Sequence, residues 1–110
     1  MDQGNIQEKI KVIEPVGIFD RARAGMVRQD INDSLDHNVD VILIDFSGVT
    51  FTDSSGLGEL VRSYKRIRES GKQLYLCALN DQTKMLFQIT NVDRVFNVYE
   101  TRAAFEKAHA

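Results

Sequence analysis

An α/β fold on a mostly parallel sheet of four to five strands is the expectation from three features of this sequence. Strand-like and helix-like segments alternate along the chain. Val39 to Phe46 (VDVILIDF) is almost continuously apolar, as a strand covered on both faces of a parallel sheet must be. Between the strands, apolar residues recur at three- and four-residue spacing, so each of these segments offers one face to a sheet. The 110 residues make one domain, 1–110, with room for a single core. With 43% apolar and 27% charged residues, the composition is that of an ordinary globular protein. A net charge of −2 gives no reason to expect nucleic acid or an anionic membrane as a partner. No apolar run approaches the roughly 20 residues needed to cross a bilayer, and no secretory signal pattern opens the chain. A single cysteine excludes an internal disulfide, so a reducing, cytoplasmic setting is expected.

The elements follow in order. Met1 to Glu8 is polar and reads as a flexible segment. Lys9 to Phe19 is rich in β-branched residues and reads as a strand or a strand pair. Pro15 cannot donate to a ladder, which places the segment at an edge or bends it, and Gly17 supports a bend. Asp20 suits the cap of a helix from about Arg21 to His37, whose stripe is Ala24, Val27, Ile31 and Leu35. Arg21, Arg23, Arg28, Gln29 and Asp33 should face water. After the Val39–Phe46 strand, residues 47–52 read as a connection. A helix from about Ser55 to Ser70 follows, with Leu57, Leu60, Val61, Tyr64 and Ile67 inward and Gly71 as its left-handed cap. Gln73 to Leu79 reads as a strand and Gln82 to Thr90 as a helix with Met85, Leu86 and Ile89 on its apolar side. Val95 to Tyr99 reads as a short strand. A last helix, Thr101 to Ala108, should pack through Ala104, Phe105 and Ala108.

The functional stretch is Thr50 to Leu60 (TFTDSSGLGEL), where a strand gives way to a helix. Asp53, Ser54 and Ser55 carry short oxygen-bearing side chains that suit a cap, with Ser55 the expected capping residue. Such oxygens accept from first-turn N–H groups that have no partner inside the helix. Gly56 and Gly58 remove side chains from the first turn, so another molecule can approach the backbone closely. Two hydroxyls and a carboxylate thus sit at the positive end of a helix dipole, on a turn facing solvent, which suits a serine that is phosphorylated.

With the V-I-L-I-D-F strand before it, Asp53-Ser54-Ser55-Gly56-Leu57-Gly58 resembles the STAS family of anti-sigma factor antagonists. Gly17-Ile18-Phe19-Asp20 resembles that family's G-x-L-D turn, and Gly71-Lys72-Gln73-Leu74 matches the start of its next strand. The resemblance implies a (βα) superhelix with the helices largely on one face of the sheet. It also implies partner switching. The unmodified domain would bind an anti-sigma factor that is itself a serine kinase, freeing the sigma factor for transcription. Phosphorylation of Ser54 would release it, and a metal-dependent serine phosphatase would restore binding. The partner-binding set implied is Ile18, Asp20, Asp53, Ser54, Ser55, Gly56, Leu57 and Gly58. Ile18 stands where the family usually has a polar or charged residue, and Phe19 where it has leucine, which implies a more apolar partner surface or a different partner set. The segment before Gly17 looks shorter than the family's, which leaves that edge of the sheet open.

Competing readings are weaker. The chain has no Walker-type phosphate loop, and phosphoryl transfer needs ATP, magnesium ligands and a positioned base, so Ser54 reads as a substrate and no cofactor is expected. A serine hydrolase would need a G-x-S-x-G elbow and a histidine placed as base, and neither is present. Cys77 in an apolar strand reads as core. His37, His109 and Cys77 lack ligand spacing, so no metal is expected. Asp45 after an apolar strand also resembles the phosphoacceptor of a receiver domain. That family needs an acidic pair after its first strand and a lysine after a late one. Here stand Asp20 alone and Asn80-Asp81, so Asp45 is better read as bonding to the loop backbone. Arg62, Lys65, Arg66 and Arg68 read as a solvated face that could join a docking surface. A STAS module in another signalling or transport assembly is the remaining alternative.

Overall fold

A computed structural model describes residues 8–110, so the proposed flexible start lies outside the described residues apart from Glu8. The elements are β1 (Ile10–Ile13), β2 (Gly17–Phe19), α1 (Arg21–Leu35), β3 (Val41–Asp45), β4 (Val49–Thr52), α2 (Ser54–Glu69), β5 (Gln73–Cys77), α3 (Asp81–Ile89), β6 (Asn97–Tyr99) and α4 (Arg102–Ala108). Four strands form a sheet in the order β1-β3-β5-β6, and every pair is parallel. The strand expected at the N-terminal edge is therefore present as β1, with Ile10 opposite Val41 and Ile13 opposite Ile44.

Lys9 to Phe19 holds two strands, β1 and β2, on either side of Pro15, and they belong to different sheets. Residues 47–52 are not a plain connection: Val49–Thr52 forms β4, which pairs in parallel with β2. The β1–β2 and β3–β4 segments run side by side and bend together, with the Gly17 N–H donating to the Gly48 carbonyl at 2.9 Å. The other edge of β4 is satisfied by side chains. Gln82 accepts from the Thr52 N–H at 2.8 Å and donates to the Thr52 carbonyl at 2.8 Å, and Asn80 donates to the Thr50 carbonyl at 3.2 Å. A buried backbone segment needs such partners wherever no strand supplies them.

All five residues of β3 are buried, as a strand covered on both faces requires. Ile42 and Ile44 join Leu74 and Leu76 in the main core, under α1, α2 and α3. Val41 and Leu43 point the other way, into a smaller cluster with Cys77 and Phe105 that α4 covers. Three helices on one face and one on the other is the expected layout.

Helix boundaries and faces were partly legible. α1 ends at Leu35, two residues earlier than expected, with Asp36 as its cap, and buries Ala24, Val27, Ile31 and Ser34. α2 ends in a Schellman arrangement: the Lys72 N–H reaches the Ile67 carbonyl and the Gly71 N–H the Arg68 carbonyl, with Gly71 at φ +76°. Of the face expected for α3, Leu86 packs against the core but Met85 and Ile89 do not. Thr83 and Phe87 are buried, while Met85 and Ile89 are exposed, because the Thr83 hydroxyl lies 2.7 Å from that of Thr52 and turns the helix. In α4 only Phe105 is buried; Ala104 and Ala108 are exposed. The short helix is held instead by Arg102, which reaches Glu14 at 2.8 Å, Glu106 at 3.4 Å and Asp45 at 3.6 Å, and by His109 stacked on Phe105.

Candidate functional site

Phe19 and Thr52 are register partners in the β2–β4 ladder, so the residues that follow them, Asp20 and Asp53, leave the strand ends side by side. Each caps a helix. Asp20 accepts from the Arg23 N–H at 2.9 Å and starts α1; Asp53 accepts from the Gly56 N–H at 2.7 Å and starts α2. Two helix N-termini, each with a positive dipole end, thus open onto one surface. The capping residue of α2 is Asp53, not Ser55, because its extended backbone (φ −101°, ψ 172°) and short carboxylate already satisfy the first turn.

That leaves both serines free of the cap. Ser54 and Ser55 are the first two residues of α2, and both are exposed. Ser54 therefore stands open to solvent.

The glycines divide. Gly58 is exposed, with open space where a Cβ would stand, so its backbone can be approached. Gly56 is buried, and a Cβ there would stand 2.1 Å from the Phe19 carbonyl oxygen. Its role is internal: it lets α2 sit against the end of β2. Leu57 is also buried and belongs to the core. Of the eight residues implied as partner-binding, Gly56 and Leu57 thus shape the surface from beneath. Ser54, Ser55, Gly58 and Ile18 lie on it, with Asp20 and Asp53 half-buried at its edge.

Ile18 is 56% exposed and sits opposite Phe51, itself 46% exposed, on the β2–β4 pair. Nothing in the sequence singles out Phe51, because residues 47–52 read as a connection. Asn80 and Gln82 were missed for the same reason: their value depends on a β4 edge that no local pattern announced. Glu59 was also unmarked. It is buried on α2 and bonded to Arg28 of α1 at 2.7 Å, so it clamps together the two helices that rise from the site.

Asp45 is buried and accepts from the Ser47 N–H at 2.9 Å, as a strand-end residue bonded to its loop does. Its charge faces Arg102. Burial, and then the charge of Asp45 and a hydrogen bond to it, push the Cys77 thiol up to about 11, which keeps it protonated and inert. Among the described residues no cluster of three His, Cys, Asp or Glu side chains is placed to hold a metal ion. Among them, too, no helix is long and apolar enough to cross a membrane.

The STAS domain profile matches residues 3–105. The chain belongs to the STAS domain family. Its relatives include the anti-sigma F factor antagonist of Paenibacillus polymyxa, 23% identical over 83% of this chain and 79% of that one. The anti-sigma-B factor antagonist of Listeria monocytogenes is 34% identical, over 53% of this chain and about half (51%) of the relative's length. Among solved structures, a putative anti-sigma factor antagonist from Thermotoga maritima superposes with a TM-score of 0.81 at 24% identity, covering 96% of this chain and 91% of that one. The anti-sigma factor antagonist SpoIIAA, solved in unphosphorylated form, superposes with a TM-score of 0.73 at 18% identity over 94% of this chain and 90% of that one. At these identities the superpositions show that this STAS domain has the fold of those proteins.

Proposed function

We propose that this STAS domain is an anti-sigma factor antagonist that holds an anti-sigma factor when Ser54 is unmodified and releases it when Ser54 is phosphorylated. The observation that carries the reading is that Ser54, the first residue of α2, is exposed and follows directly on the capping Asp53, on a strand pair whose other strand leads into the capping Asp20. The names of its relatives, anti-sigma F and anti-sigma-B factor antagonists, favour the same class. The partner would be an anti-sigma factor with serine kinase activity, and a serine phosphatase would reset the domain. The domain itself acts as substrate and ligand, in the cytoplasm, without a cofactor, without contact to nucleic acid and without a membrane.

The physics of the switch is local. A phosphoserine carries about −1.5 to −2 charges and three strong acceptor oxygens. In the free domain a helix N-terminus accommodates that anion. Beneath a docked partner the phosphate must lose water beside Asp53 and Asp20. Two unit charges ~4 Å apart interact by ~1 kcal/mol in water and ~4 kcal/mol at a protein surface. Each 1.4 kcal/mol is tenfold, so a weakening of about ten- to a thousandfold needs no refolding.

Incubation with a cognate anti-sigma kinase and ATP, followed by mass spectrometry, tests the site. Label on Ser54, absent in Ser54→Ala, supports the reading. An acid-labile label on Asp45 would favour a receiver instead, and label confined to Ser55 would move the switch by one residue. Pull-down of transport subunits in place of an anti-sigma factor would assign the domain to another assembly.

A further inference from the structure

We propose a second site on this domain, for a small organic anion with a phosphate or carboxylate head and an apolar body. It is a hollow of ≈ 710 Å³ between the C-terminal half of α2 and the turn that follows α3. That volume is within the range of sites for small ligands. Its floor is apolar, made by Val61, Tyr64 and Val95, with Tyr64 braced edge-on against Phe96 at 5.4 Å. Its rim carries Lys65 and Arg68 from α2 and Arg94 from the turn, against one acid, Glu69.

The basic residues of α2 divide by direction, and that division separates this hollow from an ordinary solvated face. Arg62 lies 3.5 Å from Glu59, and Arg66 donates to Asn32 of α1 at 3.4 Å. Those two cations serve the α1–α2 seam. Lys65 and Arg68 line the hollow on the other side and, with Arg94, form no ion pair or side-chain hydrogen bond among the described residues. Two separate elements thus bring three unpaired cations to the rim of one concave apolar surface. The chain's net charge is −2, so a positive hollow is a local reversal rather than a share of a general excess. A concave low-dielectric wall focuses that field outward and favours an anion. The apolar floor favours an anion with a body to bury over a bare one. Arginine in particular can grip phosphate or carboxylate with two parallel N–H bonds.

The hollow is distinct from the Ser54 surface. Ser54 and Arg68 lie fourteen residues apart on one helix, about 21 Å at ~1.5 Å per residue. Binding in this hollow requires neither phosphorylation of Ser54 nor a protein partner.

The probe is 1-naphthyl phosphate, titrated into the isotope-labelled domain and followed by amide chemical shifts. Saturable shifts of Val61–Glu69 and of Arg94 and Val95 are expected, with naphthol and inorganic phosphate each binding at least about tenfold more weakly. Arg68→Gln and Arg94→Gln change exposed side chains and should leave the rest of the spectrum in place while weakening the probe about tenfold each. Absence of saturable shifts would overturn the proposal. So would shifts that map elsewhere, equal binding of inorganic phosphate, or unchanged affinity in both variants. Shifts with phosphatidylglycerol vesicles but none with the soluble phosphate would replace the small anion with a lipid surface and overturn it as well.

Discussion

Gly56 shows how narrowly single residues set this surface. A methyl group there would press on the Phe19 carbonyl oxygen, a backbone atom that moves only if β2 moves. Gly56→Ala should therefore destabilise the domain by about 1–3 kcal/mol despite the better helix propensity of alanine, read as a lower urea midpoint. Gly58→Ala has open space and should be neutral or slightly stabilising in the same measurement. Cys77 gives a pH signature. Its unfolded thiol ionises from about 9.0, while the folded one keeps its proton until about 11. The unfolded state therefore releases the proton first, so stability is intact below pH 9 and falls as pH rises toward 11. The loss is on the order of 2 kcal/mol. Urea midpoints between pH 8 and 11 should drop less steeply in Cys77→Ala than in the parent. In native buffer at pH 8 the thiol should resist alkylation and react on unfolding. Such details lie beyond sequence: nothing local to Gly56 says that Phe19 sits above it, and nothing local to Cys77 says that Asp45 lies beside it.

At the scale of elements, periodicity carried most of the architecture. β3 was legible because a strand buried on both faces has no polar side to hide it. α2 was legible because its stripe is regular and Gly71 closes it. β4 was not, since Val49–Thr52 is only four residues long, buries Thr52 while exposing Phe51, and has its outer edge satisfied by Asn80 and Gln82 instead of a strand. The face of α3 was misread because a buried polar residue, Thr83, takes a place that hydrophobic counting gives to Met85 or Ile89. Two measurements follow. Phe87→Ala should cost about 3–5 kcal/mol, whereas Met85→Lys and Ile89→Lys should each stay within about 0.5 kcal/mol. Gln82→Ala removes both side-chain bonds to Thr52 and should cost about 1–3 kcal/mol. Its amide exchange should quicken at Thr52 and Asp53 more than in the main sheet, which would show that Gln82 steadies the segment leading into Ser54. Equal acceleration everywhere would mean only a general loss of stability.

Across the whole molecule, one strand pair aligns two helix N-termini, and the function proposed for the domain rests on what that alignment presents. The two helix starts were legible from Asp20 and from Asp53-Ser54-Ser55, because caps are written in short oxygen-bearing side chains, although the cap of α2 falls on Asp53 and not on Ser55. Which of those residues face outward was not legible: Leu57 and Gly56 look like part of the same motif yet lie in the core. A negative charge at the first residue of α2 suits the dipole, so Ser54→Asp should match or exceed the parent's stability by about 0.3–1 kcal/mol. Its circular dichroism should be unchanged. A large loss of stability would instead mean that any switch works by unfolding. The most direct test is the dissociation constant of a cognate anti-sigma factor for the unmodified domain and for the domain stoichiometrically phosphorylated on Ser54, measured by calorimetry at fixed salt. The account predicts about ten- to a thousandfold weaker binding after phosphorylation, reversed by serine phosphatase treatment. Equal affinity for the two forms would contradict it.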